Sequence, residues 1–313
     1  MKKYKITKII VLGNISITKI IAREVIKSGH NLLAVVSLPK DKRQLATIDL
    51  KDFCLARKIK YKELSSLASA KAKEFLKGLD PDYLISTWPH IIPPNILNIP
   101  REMTIGSHPT ELPSNRGRHP LHWLICLGHK KSKMTFFKMN SKIDNGPVIL
   151  SKMFHVYPGT NIAKTITSME TATRSAIKSI LQKISKRKLK PRNQNHDKAN
   201  TWRARSVHDL ILDPRMDYKI AIRTVNSYGK PYPGAIVLIK KKPIRIKQIS
   251  RTKNPPDFSN FEFGKIFSCS RKHMIVKIGQ ATLQISFAEK LSKEFQSEKY
   301  LYPPSLCYEK KKK

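Results

Sequence analysis

Hydrophobic positions change their period several times along the chain, and each change marks an element. Ile9, Ile10, Val11 and Leu12 form a short unbroken apolar run, the pattern of a strand buried on both faces. Gly13-Asn14 turns the chain. Ile17, Ile20, Ile21, Val25 and Ile26 then recur at helical spacing, which predicts a helix from about Ser16 to Ser28. Gly29-His30 ends that helix, and Leu32 to Val36 supplies a second strand. This is a βαβ opening of the Rossmann type. The turn lacks Gly-x-Gly-x-x-Gly, so no dinucleotide cofactor is expected.

The same alternation continues. Leu50 to Arg57 reads as a helix, Ile59-Lys60-Tyr61 as a short strand, and Ala68 to Leu79 as a helix stopped by Gly78 and Asp80-Pro81. Asp82 to Ser86 is the next strand, and Thr87 to Pro93 the loop after it. Met103 to Ile105 leads into Gly106, Ser107, His108 and Pro109, a strand stopping abruptly at a loop. A helix-like run follows through His122 to Leu127, then a strand-like run from Met134 to Met139. Asp144 comes next, in a tight turn with Asn145-Gly146, and Pro147 to Leu150 pairs back as a hairpin. His155-Val156-Tyr157 and Pro158-Gly159 precede a helix from about Asn161 to Lys183, which Thr160 or Asn161 can cap.

Lys186 to Asn200 is basic, polar and broken by Pro191, so it reads as a linker. A helix near Tyr218 to Tyr228 follows. Ile236 to Ile239, Ile244 to Ile249, Phe263 to Phe267, His273 to Ile278 and Ala281 to Phe287 then read as strands of a small, OB-like barrel. The expected organisation is therefore an α/β domain with a parallel sheet over 1–185, a linker over 186–200 and a second domain over 201–305. A basic tail over 306–313 is expected to be disordered.

Composition narrows the class. With 313 residues, 40% hydrophobic and 27% charged, the chain can bury two cores. Cys54, Cys126, Cys269 and Cys307 show no Cys-x-x-Cys spacing, which argues against zinc fingers and disulfide scaffolds and for a reducing compartment. Lys5, Lys8 and Asn14 interrupt the apolar N-terminal run, and no stretch reaches the ~20 apolar residues that span a bilayer. A cytoplasmic protein with no membrane partner is expected. The formal net charge of +39 suits a polyanionic partner such as nucleic acid. Lys, Ile and Asn are spread along the whole chain, so a compositional bias accounts for the charge equally well.

The candidate chemistry lies between Ile105 and Gly146. In an open α/β sheet, ligands bind beyond the carboxyl ends of the strands, which puts His108 at the mouth of a crevice. A carboxylate that faces a histidine holds one tautomer and stabilises the imidazolium, a standard arrangement for moving protons near pH 7. Asp144 is the carboxylate in view. Taken by spacing alone, His108 could equally cap a turn and Asp144 be an ordinary turn residue.

The wording of the segment is more specific. His108-Pro109-Thr110-Glu111-Leu112-Pro113, Arg116-Gly117-Arg118-His119-Pro120, an aromatic strand and then Ile143-Asp144-Asn145-Gly146 resemble the signature of the folate-dependent formyltransferases. A second anchor is Trp202-Arg203-Ala204-Arg205, a helix carrying Arg223, and Pro231-Tyr232-Pro233-Gly234-Ala235. In that family an asparagine, a histidine and an aspartate act together. His108 and Asp144 match the last two, and Gly106 stands where the asparagine would be.

The resemblance implies transfer of a formyl group from 10-formyltetrahydrofolate to a primary amine, with His108 and Asp144 as catalytic residues and no metal. It implies that Trp88, His90, Ile92, Met139 and Asn140 line the folate pocket, and that Arg116 and Arg118 bind the acceptor. Trp88 could instead be a core aromatic, the commoner fate of tryptophan. The Arg-Gly-Arg-His-Pro and Trp-x-x-Arg wording points to an anionic amino-sugar nucleotide as acceptor. Methionyl-tRNA, the aminoacylated initiator tRNA, is the alternative. A reading of another class is a catalytically inactive relative kept as a binding module. A homodimer is compatible with all three.

Overall fold

The structure is a computed structural model that describes residues 6–304. The basic tail expected over 306–313 and Cys307 lie outside the described residues. The chain divides into two compact units. One comprises Met1–Pro120, Lys131–His155 and Ile166–Arg203; the other comprises Leu121–Lys130, Val156–Thr165 and Ala204–Lys313.

The first unit is built on a seven-stranded sheet. Its strands are β1 (Lys8–Leu12), β2 (Asn31–Ser37), β3 (Lys60–Glu63), β4 (Tyr83–Ser86), β5 (Met103–His108), β7 (Lys131–Lys138) and β8 (Val148–His155), and their order is β3-β2-β1-β4-β5-β7-β8. The first five run parallel. The expected parallel sheet is in fact mixed, because the hairpin of β7 and β8 joins it antiparallel to β5.

The unbroken apolar runs have a physical origin in this order. β1 and β4 are central, so Ile9, Ile10, Val11, Leu12, Leu84 and Ile85 have no exposed surface and alternation would gain nothing. Helix α1 (Ser16–Lys27) buries Ile17, Ile20, Ile21 and Val25 and leaves Ile26 exposed. Four short helices follow one another in the chain: α2 (Lys51–Leu55), α3 (Ala70–Gly78), α4 (Pro94–Leu97) and α5 (Pro120–Cys126). The long helix α6 (Ile162–Ser185) begins where the Asn161 side chain accepts from the Ala163 amide at 2.9 Å.

The second unit carries a five-stranded antiparallel sheet. Its strands are β10 (Ile236–Ile239), β11 (Lys242–Arg251), β12 (Ile266–Cys269), β13 (His273–Ile278) and β14 (Ala281–Phe287), in the order β10-β11-β14-β13-β12. Among the described residues β10 and β12 do not pair, so this OB-like sheet is an open half-barrel rather than a closed one. Its core joins Val237, Ile246, Met274, Val276, Ile285 and Phe287 to Ala221 and Val225 of α7 (Tyr218–Ser227). Asp217 caps α7 by accepting from the amides of Lys219 and Ile220.

Candidate functional site

β5 ends at His108, and its pairing fixes where that side chain emerges. Gly106 lies opposite Phe137 of β7, and His108 lies opposite Thr135. Being two residues apart, Gly106 and His108 face the same side of the sheet. His108 is buried, and an oxygen faces each of its ring nitrogens. Nε2 is 2.8 Å from the carbonyl oxygen of Asn115, and Nδ1 is 3.5 Å from Oδ2 of Asp144. Both facing oxygens can only accept, and the closer contact, 2.8 Å to the Asn115 carbonyl, places the one proton of the neutral ring on Nε2, so Nδ1 faces the carboxylate as the nitrogen open to a second proton.

Three backbone features bring Asp144 to that place. Asp144 has a φ of 48°, in the left-handed region that aspartate tolerates better than most residues. The amide of Gly117, in the two-residue strand β6 (Arg116–Gly117), donates to Oδ2 at 2.9 Å. Gly117 has a φ of 99°, and a Cβ there would overlap the carbonyl oxygen of Trp202. Only glycine can present this amide so close to the neighbouring chain. A Cβ on Gly146 would likewise overlap the carbonyl oxygen of Lys138, so the turn lies flat against the end of β7.

Residues 186–200, which read as a linker, run back over this turn. Arg192 and Val148 exchange backbone hydrogen bonds at 2.8 and 2.7 Å. The Gln194 side chain donates from Nε2 to the carbonyls of Asp144 (2.9 Å) and Gly146 (2.7 Å), and its Oε1 accepts from Arg116 Nη2 at 2.7 Å. Arg116 Nη2 is also 2.9 Å from His196 Nδ1. Asn200 Oδ1 accepts from the Asn115 amide at 2.7 Å, and Asn200 Nδ2 donates to Asn115 Oδ1 at 3.0 Å. Strand β9 (Thr201–Trp202) then pairs in parallel with β6.

The residues expected from sequence therefore fall into groups. His108 and Asp144 come together. Ile92 belongs to a buried apolar cluster, with Trp88 and Met139 packed against it. His90 and Asn140 are exposed. Ile92 is only 3% exposed, whereas its neighbour Ile91 is 74% exposed and is the one that faces solvent. Arg116 is buried and committed to Gln194 and His196, while Arg118 is exposed, with Nη1 donating to the carbonyl of Pro89 at 3.0 Å. Gln194, His196 and Asn200 were not legible as site residues. The only signal was a cluster of amide and imidazole side chains in a run that otherwise reads as solvated.

Gly106 has an ordinary extended backbone, and space rather than φ makes it glycine. A Cβ there would lie 2.8 Å from Met139 Cγ, 2.9 Å from Phe137 Cζ and 3.1 Å from Met139 Sδ. The volume beside Gly106 is filled by a thioether and a phenyl ring.

The second unit carries a separate surface feature. The rings of Phe267 and Phe261 meet edge to face with centroids 5.4 Å apart. Lys265 Nζ lies 5.5 Å from the Phe261 ring and 4.9 Å from that of Tyr300. Tyr300 in turn stands 6.3 Å from Tyr302. Phe261, Phe263 and Tyr302 are exposed. The loop that presents Phe261 and Phe263 is pinned from below by buried Lys277, whose ammonium donates to the carbonyls of Phe258 (2.9 Å) and Phe261 (2.5 Å).

Comparison with known proteins gives this arrangement a context. Residues 7–184 match the family model described as Formyl transferase. The methionyl-tRNA formyltransferase of Thermotoga maritima is 23% identical over 288 residues, covering 90% of each chain. Among solved structures, the N-formyltransferase from Helicobacter canadensis in complex with folinic acid and dTDP-3-aminofucose superposes with a TM-score of 0.66. The match covers 90% of this chain and 100% of that one, at 13% identity. HypX from Aquifex aeolicus in complex with tetrahydrofolic acid superposes with a TM-score of 0.64 at 15% identity. It covers 90% of this chain and 44% of the other.

Proposed function

The chain belongs to the Formyl transferase family and is a folate-dependent formyltransferase, and from that premise we propose that its acceptor is the primary amine of an aminoacylated, initiator-type tRNA. The observation that carries the catalytic part is the approach of His108 Nδ1 to Asp144 Oδ2 at 3.5 Å at the carboxyl end of β5. For the acceptor, support comes from relatives named methionyl-tRNA formyltransferase that match along nine-tenths of both chains. The aromatic rings grouped around Lys265 beside the OB-like sheet, of which Phe261 and Tyr302 are exposed, add to it, since unpaired bases stack on such rings.

The family takes its formyl group from 10-formyltetrahydrofolate. Trp88 and Met139, packed on the cluster that contains Ile92, offer a flat apolar wall of the kind a pterin ring needs. Exposed His90 and Asn140 offer polar atoms at its rim. When bound, the donor supplies a carbonyl carbon that a neutral amine can attack.

The chain's own groups handle the proton. The amine forms a bond to the formyl carbon, the bond from that carbon to the folate nitrogen breaks, and one proton passes from the amine to that nitrogen. His108 Nδ1 takes the proton up beside Asp144 and gives it back. Nε2 stays bound to Asn115, which holds the tautomer. Asp144 stabilises the imidazolium while the proton is held. No side-chain amide replaces the family asparagine at Gly106, so the oxyanion is left to backbone amides or water and turnover is slow.

A second reading, an amino-sugar nucleotide acceptor, draws on exposed Arg118 beside the site and on the Trp-x-x-Arg wording at Trp202 and Arg205. One experiment separates the readings: formyl transfer from 10-formyltetrahydrofolate, followed by mass, to methionyl-tRNA and to 3-amino- and 4-amino-sugar nucleotides, with wild type and His108→Ala. Transfer to tRNA that is lost in the variant is expected. Transfer only to a sugar overturns the acceptor, and no transfer to either leaves an inactive binding module.

A further inference from the structure

We propose that Gln194 is a positioning residue of the active site, holding the Asp144 carboxylate in place from both of its sides. Gln194 is 7% exposed and lies in a stretch whose composition suggests only a connection. Its carboxamide is used in full. Nε2 has two hydrogens, and they go to the carbonyls of Asp144 and Gly146 at 2.9 and 2.7 Å. Oε1 accepts from Arg116 Nη2 at 2.7 Å.

These contacts fall on the two segments that set Asp144. One is the turn carrying Asp144 itself, in its left-handed backbone conformation. The other is β6, where Arg116 precedes the glycine whose amide donates to Asp144 Oδ2. One side chain thus ties the carboxylate's own turn to the amide that orients it. Gly146 has no room for a Cβ beside the Lys138 carbonyl, so both β7 and Gln194 confine the turn.

Chemical fit makes the assignment specific to glutamine. Glutamate would turn an oxygen toward two carbonyl oxygens, replacing two hydrogen bonds with two repulsions. Methionine would fill the volume but take the amide donors from both carbonyls and leave the Arg116 guanidinium with His196 alone. Arg116 Nε already lacks a hydrogen-bond partner while buried, so Arg116 has little else to hold it. Among the described residues, the ring nitrogen of His196 is the other side-chain partner of its guanidinium.

The inference rests on the transferase reading, and its test uses two readouts so that the two can fail separately. The full-length chain is prepared as wild type, Gln194→Met and Gln194→Glu. The first readout is ring-nitrogen NMR of 15N-histidine protein at one fixed pH, following the His108 Nδ1 resonance. The second is formyl transfer. Both variants are expected to move the His108 Nδ1 resonance away from its wild-type position, because the carboxylate that faces this nitrogen at 3.5 Å is displaced. In the transfer assay kcat falls by about 100-fold, the cost of misplacing a catalytic group by about 1 Å, while KM for donor and acceptor stays unchanged. A His108 Nδ1 resonance that is the same in wild type and both folded variants overturns the proposal, whatever the activity. If wild type transfers no formyl group, the transferase reading falls and the resonance alone decides the role of Gln194. Should Gln194→Glu fail to fold, Gln194→Met, which preserves the volume, carries the test.

Discussion

The contact between Gly106 and Met139 allows a quantitative test of how this site departs from its family. Gly106→Asn places a Cβ 2.8 Å from Met139 Cγ and 2.9 Å from Phe137 Cζ. Carbon atoms pack best at roughly 3.5 to 4 Å, so both neighbours must move back by more than half an ångström. Met139 is partly buried and unbranched and can turn away, whereas Phe137 is a buried ring on β7. Overpacking of this kind costs roughly 1–3 kcal/mol. Met139→Ala removes two of the three close contacts. Because Met139 is only partly buried, its own cost belongs near the low end of the roughly 2–5 kcal/mol for such truncations.

The double variant Gly106→Asn/Met139→Ala is therefore expected to be more stable than the sum of the singles by about 1 kcal/mol or more, since the two side chains contend for one space. It also restores a side-chain donor on the face that carries His108. An oxyanion donor is worth ~100- to 1,000-fold in turnover, or about 2.7–4 kcal/mol. Urea unfolding measures the coupling, and single-turnover formyl transfer measures the gain. The reasoning is refuted if Gly106→Asn alone is as stable as wild type, or if the double variant transfers no faster than Met139→Ala.

Four further outcomes are expected. Gly146→Ala drives a methyl into the Lys138 carbonyl, so it should lower stability by roughly 1–3 kcal/mol and abolish transfer, read by unfolding and by mass. Burial pushes the pKa of His30 below its ordinary value, against a smaller opposing effect of the hydrogen bond to the Leu181 carbonyl. The unfolded chain then binds this proton first. Its contribution to stability is complete above about pH 6.5 and is lost as pH falls through the lower folded value, so the urea midpoint should drop over that range in wild type and less in His30→Gln. Burial pushes the Cys54 thiol up to about 11, so at pH 8 only about one molecule in a thousand carries the thiolate, and alkylation monitored by mass should leave Cys54 unmodified in the folded protein. Phe261→Ala/Tyr302→Ala should weaken binding of single-stranded RNA by roughly 1–3 kcal/mol per base no longer stacked, measured by fluorescence anisotropy at fixed salt, without changing the unfolding midpoint.

Much of the fold could be read from periodicity because the central strands and α1 are patterned by burial alone. The mixed character of the sheet was half legible: the β7–β8 hairpin announced itself through Asp144-Asn145-Gly146, while its joining β5 antiparallel depends on long-range pairing. His108 and Asp144 could be found because their neighbours carry specific wording. Other features of the site had no local signature. Gln194 meets Asp144 across a separation of 50 residues and Arg116 across 78, and a polar run gives no sign of where its amides point. Arg116 and Arg118 look alike in sequence, yet one is buried and the other exposed, because only Arg116 lies under the returning strand. The exchange of exposure between Ile91 and Ile92 occurs in an irregular loop with no period to count. That Met139 takes the space beside Gly106 is a matter of volumes across two strands, which a single sequence does not display.

The bonds between residues 115–116 and residues 194–200 have a consequence for how the protein is made. A ribosome that has released the chain through Ser185 has delivered every strand of the first sheet, but not Gln194, His196 or Asn200, which sit 78 to 85 residues after the Asn115 and Arg116 they grip. Closing loops of that length is slow although its entropic cost grows only logarithmically, so the sheet precedes the site in time. On the role proposed for Gln194, the growing chain passes through a stage that already has the sheet of a transferase without its positioned carboxylate, and residues 194–200 complete it.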